Sequence, residues 1–225
     1  MILYKLAKSL YRSPKAGSTL LESLVALIVV TILMSAVTPL LVFSAATRVQ
    51  SRRADLASQA ARTYLDGVRS GSIQAPSISS SQSSQNPDPP KPKGSLTCNS
   101  ATADSDPSRC TEPSPRTGAI LHCVDGNGDG TCTTDTFEDM VVQAWGYNPK
   151  STDSDDGYQL GIRVYRASAF AESEELETEV SSTIADGLGN PEAPLAALRT
   201  EITSEGTGYQ QLRDRIECQE DSSKC

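Results

Sequence analysis

The sequence predicts an α+β protein: one long N-terminal helix packed on a small antiparallel sheet, with a Ser/Pro-rich loop and disulfides. Three patterns carry that expectation. No charge occurs in the 25 residues from Ser23 to Thr47. Helical spacing continues beyond this run, through Leu56, Ala60, Tyr64 and Val68. Three short strand-like runs then follow between Ala119 and Tyr165.

The uncharged run would span roughly 37 Å as a helix, more than the roughly 20 residues a bilayer requires. Residues 1–17 carry Lys5, Lys8, Arg12 and Lys15 and no acid. Positive flanks stay on the cytoplasmic side, so this leader stays inside and the C-terminal bulk crosses. A secretory signal has a shorter apolar core with its small-residue cleavage site after it. Here the run is too long, and Gly17 lies before it. Glu22 is the one carboxylate at the mouth of this segment, and a charge at that depth is costly unless something outside the helix compensates it.

From Arg48 onward, Arg48, Arg52, Arg53, Arg62 and Arg69 stand among the apolar positions. They suit a solvated helix face, or a strip that meets an acidic surface. Gly71 offers a stop. Residues 72–117 are rich in Ser, Pro, Asn and Asp, cannot bury enough apolar surface to fold alone, and read as a long exposed loop. Strands are expected at Ala119–Val124, Met140–Trp145 and Gln159–Tyr165, the last placing Leu160, Ile162 and Val164 on one face. His122, the single histidine, is read as structural. After Ala167 the chain turns helix-like and acidic, through Glu172, Glu174, Glu175, Glu177 and Glu179. Leu195, Leu198 and Ile202 mark a short amphipathic turn or helix, and Leu212 and Ile216 another. The expected division is 1–17 leader, 18–71 helix, 72–117 loop and 118–225 head.

Six cysteines (Cys98, Cys110, Cys123, Cys132, Cys218 and Cys225) all follow the apolar run, as disulfides in an oxidising compartment would. They allow fifteen pairings, among which the sequence does not choose; neighbours are preferred, Cys98–Cys110, Cys123–Cys132 and Cys218–Cys225. With no CxxC pair and one histidine, the spacing argues against zinc. Between Cys123 and Cys132, Asp125-Gly126-Asn127-Gly128-Asp129-Gly130 places oxygen ligands at positions 1, 3 and 5 and glycine at 6, the first half of an EF-hand-type calcium loop. Thr131 would add a backbone carbonyl. Position 12 is Thr136 rather than glutamate, with Glu138 or Asp139 as substitutes. The same composition also suits a plain Asp/Asn/Gly turn between strands.

Loss of the leader leaves 16 basic residues against 28 acids, a net charge of −12. That balance opposes binding to nucleic-acid phosphates. No nucleophile–histidine pair, phosphate-cradling glycine loop or paired-carboxylate site occurs, so nothing nominates an enzyme or an organic cofactor.

Gly17-Ser18-Thr19-Leu20-Leu21-Glu22 before an apolar helix resembles the signal of type IV pilins and pseudopilins. The resemblance implies cleavage between Gly17 and Ser18 by a prepilin peptidase, methylation of the Ser18 amine, and pairing of Glu22 with a neighbouring subunit's N-terminal amine. It also implies a kink at Pro39 and a C-terminal loop closed by Cys218 and Cys225. Ser18 departs from the aromatic residue or methionine usual after the cut, a variation tolerated in minor pilins. The run Ala45–Arg53 and Gln59–Gly71 is similar to pseudopilins of the cyanobacterial hormogonium polysaccharide secretion locus, the B type in particular. This implies a filament subunit in the inner membrane, with a periplasmic head, an assembly platform and other subunits as partners, and a role in polysaccharide export for gliding. Minor pilins of adhesion, motility or DNA uptake, pseudopilins of type II protein secretion, and an uncleaved anchored binding module share these N-terminal features.

Overall fold

A computed structural model describes residues 18–92, 96–98, 108–113, 118–171, 175–180, 190–203 and 208–220. Its elements are a helix α1 (Ser18–Ser70), seven strands and a C-terminal helix α2 (Tyr209–Glu220). The strands are β1 (Ile78–Ser79), β2 (Thr97–Cys98), β3 (Arg109–Glu112), β4 (Ala119–Val124), β5 (Met140–Tyr147), β6 (Tyr158–Arg166) and β7 (Ala196–Ile202). The chain forms two compact units that meet between Arg48 and Val49, inside α1.

The first unit holds the apolar part of α1, long and apolar enough to cross a membrane by length and composition. Its large side chains are exposed, Leu20 at 75 % and Leu27 at 69 %. Helical structure runs unbroken through Pro39. Ser23, Thr31, Ser35, Thr38 and Thr47 each donate a hydroxyl to a carbonyl one turn back, so these polar groups are satisfied within the helix. That is what an apolar surrounding demands of them.

In the second unit, Ala57, Ala60, Ala61, Tyr64, Leu65 and Val68 form the buried stripe of α1. Their three- and four-residue spacing keeps them on one face, and the alanines let the helix lie close to the sheet. Leu56, expected on this stripe, is 40 % exposed: the buried face is turned one residue, onto Ala57. α1 ends at Ser70, and Gly71 takes φ 73° as its stop.

β2 to β7 pair in chain order, antiparallel throughout. β1 pairs parallel to the end of β5, beside Gly146 and Tyr147, where β4 has not yet begun. β4 has the expected bounds, and β5 and β6 run slightly longer than expected. Strand alternation puts Ile120, Val142, Ala144, Leu160, Ile162 and Val164 against α1. His122 lies in this layer too, edge-on to Tyr64 with ring centroids 5.3 Å apart.

Two stretches differ in element type from the sequence expectation. Leu195, Leu198 and Ile202 were expected on a helical turn, but Ala196–Ile202 is the edge strand β7. Their spacing suits a helix locally; pairing with β6 along its length, from Tyr158↔Ile202 to Val164↔Ala196, outweighs it. After Ala167 there is one 3₁₀ turn to Phe170, and residues 175–180 form neither helix nor strand. Leu176 there is buried against Tyr165 and Phe170, anchoring the segment by packing rather than helical bonds. Glu172 and Glu174 lie outside the described residues. α2 forms as expected, but Ile216 is 47 % exposed while Arg215 and Cys218 are buried.

The Ser/Pro-rich segment was expected as a long exposed loop; much of 72–92 is exposed, but around Gln85–Asp88 it bonds across the second face of the sheet. Pro76, Pro87, Pro90 and Pro92 are buried. Proline fits such a cover because it offers no N–H to be stranded there. The sheet is therefore covered on both faces, and all eight residues of β5 are buried.

Candidate functional site

On the exposed first unit, Glu22 is the acid nearest the start of α1 and has no hydrogen-bond or ion-pair partner among the described residues. Ser18 is the first helical residue; Gly17 lies outside the described residues. Five hydroxyls of this segment are bonded within the helix, whereas this carboxylate has no such bond.

In the second unit the oxygen-rich turn follows β4. Asp125 accepts from the Gly128 amide at 2.6 Å and the Gly130 amide at 2.7 Å. Asn127 Oδ1 accepts from the Asp129 amide at 2.9 Å, and Asp129 from the Thr131 amide at 2.8 Å and hydroxyl at 2.7 Å. The Thr131 hydroxyl, the Asn127 side chain and the Thr131 amide together hold the Asp129 carboxyl below its ordinary value. Three alternate side chains thus point their oxygens into one turn. Asp139 is fully buried beneath it, accepting from the Gly126 and Thr133 amides at 3.2 and 3.0 Å and from the Thr136 hydroxyl at 2.5 Å. Its oxygens are spent on shaping the loop. Glu138 stays exposed, and its carbonyl lies where a Cβ on residue 126 would fall, at 2.0 Å, so only glycine fits there. The side-chain oxygens of Asp125, Asn127 and Asp129 also accept bonds within the turn; turned to a cation they would offer about half of the six to eight oxygens calcium takes, with Glu138 the exposed carboxylate beside them.

Cys123–Cys132 closes this turn and Cys98–Cys110 ties β2 to β3. The sulfurs of Cys98, Cys123 and Cys132 lie within 4.8 Å of one another, so the two bridges adjoin. Engaged in disulfides, they offer no thiolate to a metal. Cys218 is also disulfide-bonded; Cys225 lies outside the described residues.

The sequence reading missed a polar cluster on the second sheet face. Gln143 and Arg163 are register partners on β5 and β6. Arg163, 2 % exposed, donates to the Pro87 carbonyl at 2.8 Å, Gln143 Oε1 at 3.1 Å and Asn86 Oδ1 at 2.5 Å. Its guanidinium stacks on Trp145 at 4.7 Å from the ring centroid. Trp145 itself lies over Gly161, where a Cβ would fall 2.2 Å from the indole, and donates to the Gln85 carbonyl at 3.2 Å. Burial pushes the Arg163 guanidinium down from its ordinary value, with Arg199 adding repulsion and Tyr165 and Glu179 opposing both. The available signal was the alternation itself: Gln143, Trp145, Gly161 and Arg163 all share one face.

No family model, curated protein or solved structure matches this chain.

Proposed function

We propose that the chain is a structural subunit, of the minor pilin or pseudopilin kind, in a filament based on the inner membrane. The leader is removed after Gly17, Ser18 becomes the methylated N-terminus, and α1 lodges in lipid with the head in the periplasm. Prepilin peptidase, an assembly platform and other subunits are its partners. Export of a polysaccharide used in gliding is the role that the resemblance adds.

One observation carries this reading. A helix with internally satisfied hydroxyls and exposed apolar side chains keeps a single carboxylate, Glu22, near its start without a partner among the described residues. In lipid that charge is costly alone and stabilising when it meets an amine. It therefore selects one register between neighbouring helices. The disulfides suit an oxidising compartment. A pseudopilin of protein secretion is the second reading, favoured by the oxygen-rich turn at Asp125–Gly130 as a calcium loop.

Mass spectrometry of the mature N-terminus tests processing: a chain starting at methylated Ser18 is expected, and an intact Met1 overturns the reading. Glu22→Val tests assembly. The variant should be cleaved normally yet enter filaments at about a tenth of the wild-type level or less, the loss of about 1.4 kcal/mol or more of pairing. Assembly at the wild-type level removes Glu22 from that role.

A further inference from the structure

The polar cluster on the second sheet face opens into a cavity of about 350 Å³ lined by Asn86, Trp145, Arg163, Thr178, Glu179 and Arg199. Two guanidiniums converge there on one neutral atom: Arg163 reaches Asn86 Oδ1 at 2.5 Å and Arg199 reaches it at 2.7 Å. Among the described residues neither forms an ion pair. Two like charges held on an amide oxygen repel each other, and one of them is buried. Arg163 is hydrogen-bonded by neutral oxygens and stacked on Trp145, with Glu179 on the cavity wall as the carboxylate acting on it without a direct ion pair. The strap residues Asn86 and Pro87 hold Arg163 by neutral oxygens, and Arg199 stands exposed at the opening.

We propose that this cavity binds a sugar carboxylate, one uronate unit of an acidic polysaccharide. Arg199, exposed at the opening, offers the guanidinium that a planar carboxylate can meet in a fork, and the buried Arg163 behind it adds a second positive charge. Glu179 on the same wall decides the class of anion. It repels a simple carboxylate, phosphate or acidic peptide side chain, but accepts hydrogen bonds from hydroxyls. A ligand that carries an anion and several hydroxyls satisfies both signs at once. Thr178 and Asn86 add neutral hydrogen-bonding groups, and the volume lies at the low end of ligand sites, suited to one sugar ring. This goes beyond filament assembly; that the bound glycan is an exported one rests on the proposed function, while the sugar-carboxylate site itself does not.

Trp145 is the single tryptophan of the chain and forms part of the wall, so its emission reports occupancy. The full chain in an uncharged detergent is titrated with D-glucuronate, D-glucose, acetate, sulfate and a glutamate-containing tripeptide, following emission and heat together. Glucuronate should bind saturably, about tenfold or more tightly than glucose or acetate. Arg199→Gln, at an exposed position, should weaken glucuronate about tenfold with an unchanged circular dichroism spectrum. Glu179→Gln should weaken glucuronate and strengthen acetate. Absence of both heat and emission change with glucuronate overturns the proposal. Equal binding of acetate or sulfate reduces the cavity to an adventitious anion site, and tightest binding of the tripeptide makes it a protein contact; either result overturns it. The titrations read the head and the Glu22→Val assay reads the apolar helix, so each proposal fails separately.

Discussion

Tyr165 joins the two halves of the second sheet face. Its ring is fully buried and meets Phe170 edge-on, at 6.2 Å between centroids, while its hydroxyl donates to the Glu177 carbonyl at 2.7 Å. Burial pushes the phenol up to about 12 from 10.0, the pull of Arg163 notwithstanding. Because the folded state holds this proton more tightly than the unfolded chain, the associated stability is complete below pH 10.0 and is lost as pH rises toward about 12. Burial raises Tyr147 and Tyr158 in the same direction. Thermal melts from pH 9 to 12 should therefore show a falling midpoint, and Tyr165→Phe should flatten the slope without abolishing it. The same variant loses the bond to Glu177, about 1 kcal/mol at neutral pH. A slope unchanged by the substitution removes Tyr165 as a source of alkaline sensitivity.

At the scale of elements, what was legible depended on how far local pattern agreed with tertiary pairing. β4 carries its own signal in Ala119–Val124 and matched residue for residue. The buried stripe of α1 was found at Ala60, Tyr64 and Val68 and missed only at its start, where Ala57 rather than Leu56 is buried, because arginines at 52, 53 and 62 define a polar side without fixing the edge of the opposite one. β7 was misread since Leu195, Leu198 and Ile202 satisfy a helical spacing, whereas the strand is set by its pairing with β6. The covering strap was unreadable for a like reason. Its burial rests on carbonyls at Gln85, Pro87 and Asp88 that accept from Trp145, Arg163 and Gln143, residues 55 to 76 positions away. The oxygen-rich turn is the opposite case, since its oxygens sit within six consecutive residues. With an affinity of about 0.1 mM, 1 mM calcium would stabilise the head by about 1.4 kcal/mol. A rise in melting temperature of about 3 °C is then expected, abolished in Asp129→Asn. No rise at 10 mM calcium removes the site, leaving Asp125 and Asp129 as caps for the backbone amides of a plain turn.

For the whole molecule, the division at Arg48/Val49 separates two kinds of stability. Every residue of both hydrophobic clusters lies at Ala57 or beyond, so neither cluster includes a residue of the apolar half of α1. That half would contribute nothing to a soluble fold and exposes Leu20, Leu27, Met34 and Phe43 at more than 60 % each, a surface that water disfavours. A chain truncated to begin at Val49 should accordingly be soluble and monomeric without detergent. It should melt cooperatively within about 3 °C of the head transition of the full chain, a difference of about 1 kcal/mol. Fraying is expected only over the first turns before Ala57, where Val49 and Leu56 are already exposed. Near-ultraviolet circular dichroism of Trp145, fixed between Gly161 and Arg163, is the sharper readout, because a loosened core loses that signal before it loses helix. A truncated chain with helical far-ultraviolet signal but no Trp145 band would show that the apolar half of α1 supports the packing of the sheet. In that case anchoring and folding are one event rather than two, and Glu22 would have to be tested for an effect on the head as well as on assembly.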